Sequence, residues 1–128
     1  MRALLDTHTF LWWITDSSLL SDIAVRIISD AKTELYLSSV SVLEMVIKAQ
    51  IGKLTLPDTP EIFITSQMVI NSIQCMPMNM NHAFAVYTLP MHHRDPFDRL
   101  LVAQAQSEEL PIITNDQFIK QYGVTVIW

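Results

Sequence analysis

At 128 residues the chain is long enough for one domain with a real core and too short for two. Half of its residues are hydrophobic and 16% are charged, which excludes disorder. The longest fully apolar run near the start, Phe10-Leu11-Trp12-Trp13-Ile14, is far too short to span a bilayer, and a net charge of -5 argues by itself against a polyanionic partner.

Arg2 to Leu5 reads as a short buried strand that ends on Asp6, and Thr7-His8-Thr9 then opens an apolar helix. An acid is met before any signal-peptide core forms, so a cytoplasmic protein is expected. Asp6 stands at the carboxyl end of the first strand, where open α/β sheets collect ligands, although a turn or cap role accounts for it equally. His8 reads as a first-turn histidine bonded to backbone.

Ser21 to Asp30 suits a second helix, with Ser21 as cap and Ile23, Ile27 and Ile28 on its inner side. Glu34 to Ser38 has strand composition. Ser41-Val42-Leu43-Glu44 begins a third helix that carries Leu43, Val46, Ile47 and Ile51 inward and stops at Gly52. Ser41 and Glu44 fit a capping box, which gives Glu44 a structural explanation. Lys48, one turn on, can pair with Glu44 or face a phosphate.

Leu56 to Pro60 is a loop, and Glu61 to Asn71 a fourth helix with Ile62, Phe63, Met68, Val69 and Ile70 to bury. Ile73 to Met78 is a strand interrupted by Pro77; its Cys75, the only cysteine, is expected to be buried filler. Asn81 to Thr88 forms a short helix ending at Leu89-Pro90. Most of the seven methionines lie between Met68 and Met91 and read as adaptable packing, not as ligands.

The segment from His92 to Ala105 is the most densely ionisable of the chain. Asp95-Pro96 is a helix start, since Asp accepts from an orphan N–H and Pro is pre-shaped for the first helical position. Asp98 then lies in the first turn, where the macrodipole favours negative charge, and Phe97, Leu100, Leu101 and Ala105 recur on one face. Asp98 is not needed as a cap; taken alone it reads as a solvated acid. Pro111 to Thr114 is a further strand followed by Asn115-Asp116, Gln117 to Gln121 a helical turn, and Val124 to Ile127 a last strand. Alternating strands and helices without internal repeats predict an α/β sandwich around a mainly parallel sheet, with the acids that end strands on one rim.

Asp6, Glu44, Asp98 and Asp116 each have a separate cap or turn explanation, but they also make a set. Four ionised carboxylates crowd together only where cations neutralise them, and oxygen ligation without cysteine favours Mg²⁺ or Mn²⁺ over zinc. Such a cation, or a pair, orients water and stabilises the leaving oxygen of a phosphodiester. With these four acids assigned to a metal site the rest of the chain is close to neutral, and a rim of Lys48, Lys53, Arg94 and Arg99 is compatible with a polyanion.

Leu4-Leu5-Asp6-Thr7-His8 with Phe10-Leu11-Trp12, Ser41-Val42-Leu43-Glu44 with Ile47-Lys48 and Gly52-Lys53-Leu54, His92-His93-Arg94-Asp95-Pro96-Phe97-Asp98-Arg99-Leu100-Leu101, and Thr114-Asn115-Asp116 together resemble the successive motifs of the PIN-domain family, and most closely the VapC-type toxins of prokaryotic toxin–antitoxin pairs. The resemblance covers nearly the whole chain. It implies an α/β/α sandwich over residues 1–128 as a single nuclease domain. It also implies a Mg²⁺- or Mn²⁺-dependent endoribonuclease that attacks phosphorus with an activated water and leaves a 5′-phosphate and a 3′-hydroxyl. Asp6, Glu44, Asp98 and Asp116 match the family's acids. Asp6, Asp98 and Asp116 are expected to hold the principal ion, and Glu44 to hold a second ion or to position the attacking water. Asp95 belongs to the same pattern as ligand or cap. Thr7 and Asn115 are expected to orient ligands or water, and Arg94, Arg99 and Lys48 are candidates for phosphate contacts, with surface solvation the default for each. The resemblance further implies a homodimer and a cognate antitoxin that covers the acidic groove with a basic side chain.

Two other readings compete. A silent binding module with the same fold is opposed by the complete quartet of acids. An aspartate-nucleophile phosphatase needs a second acid two residues after Asp6, where this chain has His8.

Overall fold

Alternation of short apolar strands with amphipathic helices gives, in a computed structural model describing residues 1–128, a five-stranded sheet in which every pairing is parallel. The elements run β1 (Arg2–Leu5), α1 (Thr7–Ile14), α2 (Asp22–Ser29), β2 (Glu34–Ser38), α3 (Ser39–Gln50), α4 (Pro60–Ile70), β3 (Ile73–Met76), α5 (Met80–Ala85), α6 (Pro96–Glu108), β4 (Ile112–Ile113) and β5 (Val126–Ile127). The sheet order is β3-β2-β1-β4-β5, which places β1 at the centre and reverses the direction of winding there. A reversal of this kind opens a crevice at the carboxyl ends of the strands, between β1 and β4.

Strand periodicity divides the core between two faces. Ala3 and Leu5 of β1, with Leu35, Leu37, Ile73 and Ile113, pack against Phe10, Ala24, Ile28, Met45 and Ile64. Leu4 and Ile112 point the other way, onto Leu101, Val102 and Ala105 of α6 together with Leu89, Ile119 and Tyr122. The architecture is thus an α/β/α sandwich, as expected.

Several local expectations are corrected. The third helix starts two residues earlier than Ser41: Ser38, the last residue of β2, caps it by accepting from Val40 N at 3.0 Å. Strand passes directly into helix, and Glu44 falls in the second turn with no capping box. The face expected to be buried, Leu43, Val46, Ile47 and Ile51, is exposed; Val40, Ser41, Glu44 and Met45 are buried instead. Likewise Ile62, Val69 and Ile70 of α4 and Ile23 of α2 face outward, and Ile64 carries the contact of α4 with the core. Cys75 is exposed: it stands on the edge strand β3, on the same face as Ile73, where it lines an open groove with Val42, Val46, Ile64 and Met68. Gly52, at φ +77°, ends α3 in the left-handed conformation that glycine adopts without steric cost.

Candidate metal centre

The crevice is built by the ends of β1 and β4, by α3 and by the first turn of α6. Asp6 leaves β1 as the N-cap of α1: Oδ1 accepts from Thr9 N at 2.6 Å, and Oδ2 accepts from the hydroxyl of Thr114 at the end of β4. Thr114 Oγ1 also accepts from Asp116 N at 3.0 Å, so one buried hydroxyl ties the two strand-end acids together. Asp116 holds Phe118 N and Ile119 N on Oδ1, at 2.8 and 3.0 Å. Asp6 and Asp116 line a cleft of about 210 Å³ with His8, Trp12 and Asn115.

Glu44 is 3% exposed and comes to the site from α3. Thr7 donates to its Oε1 at 2.7 Å, and Lys48 Nζ lies 2.5 Å from its Oε2. Lys48 therefore pairs with Glu44, which raises the lysine pKa above its ordinary value through that hydrogen bond. Asp95 caps α6 by accepting from Phe97 N at 2.9 Å. Asp98, one turn further in, makes no cap bond.

Asp98 shows how closely the acids converge. Burial, then the charges of Asp95, Asp116, Glu44 and Asp6, push its pKa up to about 8. Burial also raises the pKa of Asp6, against the hydrogen bonds from Thr114 and Thr9. Carboxyls assembled at this cost, with no guanidinium among them and only Lys48 as a nearby cation, fit an oxygen-ligated divalent cation. Two buried polar atoms have no hydrogen-bond partner: Ser41 Oγ on α3, which carries Glu44, and His93 Nε2 in the turn that precedes α6. Asp6, Asp98 and Asp116 each have an oxygen that could hold the cation.

His93, to which the sequence reading gave no role, is placed here: its Nε2 lies 2.9 Å from Asp98 Oδ2 and 3.6 Å from Asp116 Oδ2. The 2.9 Å contact is close enough for an ion pair but misaligned for a hydrogen bond, so the ring faces both carboxylates without bonding squarely to either. Thr114 likewise has no role in the sequence reading. The signal for it was a threonine at a strand end, two residues before an acid whose backbone N–H its hydroxyl can accept. No comparable local signal separates His93 from His92.

Arg99 does not stand where a phosphate contact requires. Its guanidinium is buried and donates to the carbonyls of Pro90 (2.9 Å), Val86 (3.2 Å), Leu89 (3.4 Å) and His93 (3.4 Å) and to Tyr122 OH (3.2 Å). Arg94 and Asn115 are exposed, with Asn115 on the wall of the cleft.

The model of the PIN domain family matches residues 3–124. The chain belongs to this family. No curated protein matches it in sequence. Among solved structures this PIN domain is similar in fold to a chain of VapBC2 from Rickettsia felis bound to a promoter DNA fragment, with a TM-score of 0.71, 13% identity and coverage of 98% of this chain and 97% of that one. DNA-bound VapBC from Salmonella typhimurium gives 0.70, 18%, 98% and 96%, and VapBC-5 of the VapBC family of toxin–antitoxin systems from Mycobacterium tuberculosis 0.59, 18%, 98% and 94%. At these identities the likeness is one of fold. The PIN domain's strand-end crevice is the place where the four expected acids, drawn from Asp6 at one end of the sequence to Asp116 near the other, come together.

Proposed function

We propose that this PIN domain is a Mg²⁺- or Mn²⁺-dependent endoribonuclease, the toxin component of a toxin–antitoxin module acting on RNA in the cytoplasm. The observation that carries the reading is Asp98, a carboxyl on which four other carboxyls act inside a buried crevice. Asp6, Asp98 and Asp116 hold the cation. It supplies Lewis-acid polarisation of the scissile phosphodiester and a more acidic water.

The remaining work falls to the chain's own groups. Thr114 fixes the rotamer of Asp6 and leaves Oδ1 to the backbone of α1. Thr7 orients Glu44, whose other oxygen is neutralised by Lys48; the pair positions a water or a second cation at the edge of the site. Asn115, on the cleft wall, and Arg94, exposed at the entrance to α6, are the groups open to the nucleic-acid chain.

The solved relatives, which are VapBC assemblies, one of them described as a member of the VapBC family of toxin–antitoxin systems, support the reading of an antitoxin partner. A cognate antitoxin and a second copy of this chain are the proposed partners. Apolar side chains left uncovered, among them Val69 at 80% and Tyr87 at 93% exposure, support a protein that works in an assembly.

The test is cleavage of a panel of single-stranded and structured RNAs by protein freed of partner, with Mg²⁺, Mn²⁺ or EDTA. Cutting only with metal, leaving 5′-phosphate ends, is expected. Folded protein that binds Mn²⁺ and Mg²⁺ but cuts no RNA of the panel, including total cellular RNA, would favour the silent binding module.

A further inference from the structure

Resting on the reading of the crevice as a cation site, we propose that His93 is a positioning residue of that site. Its surroundings lock it with hydrogen on Nε2, and it presents that donor to Asp98 and Asp116, so that it orients the ligands and does not ligate beside them.

The ring is held from several sides. The His93 backbone N–H donates to Tyr122 OH at 2.8 Å, and its carbonyl accepts from Arg99 Nη1 at 3.4 Å. Phe118 packs on the imidazole with centroids 4.9 Å apart. The decisive contact is the one bond to the ring itself: Asp95 N–H donates to His93 Nδ1 at 3.1 Å. A backbone N–H pointing at Nδ1 requires a lone pair there, so the neutral ring carries its hydrogen on Nε2.

That choice of tautomer decides what His93 offers to the acids. His93, Asp98 and Asp116 have three candidate ligand atoms within 4.8 Å of one another, which by distance alone suggests a three-ligand site. An imidazole with hydrogen on Nε2 has no lone pair on that side. The cluster is therefore two ligands and one donor. The Nε2–H dipole, 2.9 Å from Asp98 Oδ2 and 3.6 Å from Asp116 Oδ2, attracts both carboxylates without bonding squarely to either and so biases the orientation in which they face the cation, which is how groups behind the ligands tune a metal site. Asp95 thereby acquires a second task besides capping α6: its backbone sets the tautomer while its side chain starts the helix.

Two measurements on the full chain test this. The first is ring ¹⁵N spectroscopy of histidine-labelled protein in EDTA and in Mg²⁺, with the His93 signals assigned by their absence from His93→Gln. Hydrogen on Nε2 and a bare Nδ1 in both conditions is expected. Hydrogen on Nδ1 in EDTA, or loss of hydrogen from Nε2 when Mg²⁺ is added, would overturn the proposal, the latter by making His93 a ligand. The second is Mn²⁺ affinity of wild type, His93→Ala and His93→Gln, each checked for fold by circular dichroism. The Ala variant is expected to bind about 10- to 100-fold more weakly, and the Gln variant, whose amide N–H reaches the Nε2 position, to recover most of that loss. An Ala variant that binds like wild type, or a Gln variant no better than Ala, would count against a donor role. Wild-type protein that binds no Mn²⁺ at all would instead overturn the cation-site reading itself, and this proposal with it.

Discussion

Asp98 has no partner of opposite charge except the lysine paired with Glu44, and its carboxyl stays protonated to about pH 8 in the absence of metal. The folded state therefore binds a proton that the unfolded state releases near pH 4. Its contribution to stability is complete below the unfolded value and is lost as pH rises toward 8. Thermal melts in EDTA should accordingly show Tm falling from pH 5 to pH 8, and Asp98→Asn should flatten that fall and raise Tm at pH 8 while abolishing cleavage. A pH dependence unchanged by Asp98→Asn would show that Asp98 is not the buried acid described here. Thr114 is the complementary case, since its hydroxyl serves Asp6 and Asp116 N at once. Thr114→Val keeps the shape and removes both bonds; it should lower stability by about 1–3 kcal/mol in urea denaturation and weaken Mn²⁺ binding, with Thr114→Ser close to wild type in both.

The segment between the short helix α5 and α6 is organised by Arg99, which closes on four carbonyls and a phenol. Arg99→Leu leaves buried carbonyls without a donor and should cost about 2–4 kcal/mol, with faster hydrogen exchange over residues 86–95. Were Arg99 a phosphate contact, its loss would instead reduce the salt dependence of RNA binding; no change in that slope is expected. Helix starts of this kind were legible in the sequence. Asp95-Pro96 and Ser21 cap where the local chemistry says they should, and Asp6 and Asp116, the acids that follow strands, share one cleft at the rim, as a parallel sheet predicts. The start of α3 was not legible, because Ser38, Ser39 and Ser41 all offer cap chemistry and β2 enters the helix without a loop. Nor was the inner face of α3 or α4. Apolar residues lie on both sides of these helices, and periodicity cannot say which side meets the core when the other is apolar as well. The role of His93 depends on a bond from Asp95 N that only the turn geometry reveals.

As a whole the molecule leaves two apolar surfaces uncovered. One lies along α3 and α4, where Val42, Val46, Ile64 and Met68 line a groove, and the other is the outer side of α5 and the turn after it, with Met80, Phe84 and Tyr87. A monomer of this size seldom leaves so much exposed, so light scattering should find the protein above 14.6 kDa in solution. A strictly monomeric mass across the micromolar range would remove the support these surfaces give to a homodimer. No helix is long and apolar enough to cross a membrane. The sheet gathers distant acids into one crevice and keeps one of them protonated, and the proposed cation would take that proton's place. Calorimetric titration of Mn²⁺ into the metal-free protein at pH 7, in buffers of different ionisation enthalpy, reads this directly. Binding accompanied by release of about one proton, with both lost in Asp98→Asn, is the predicted result. Binding without proton release, or binding undiminished by Asp98→Asn, would contradict it.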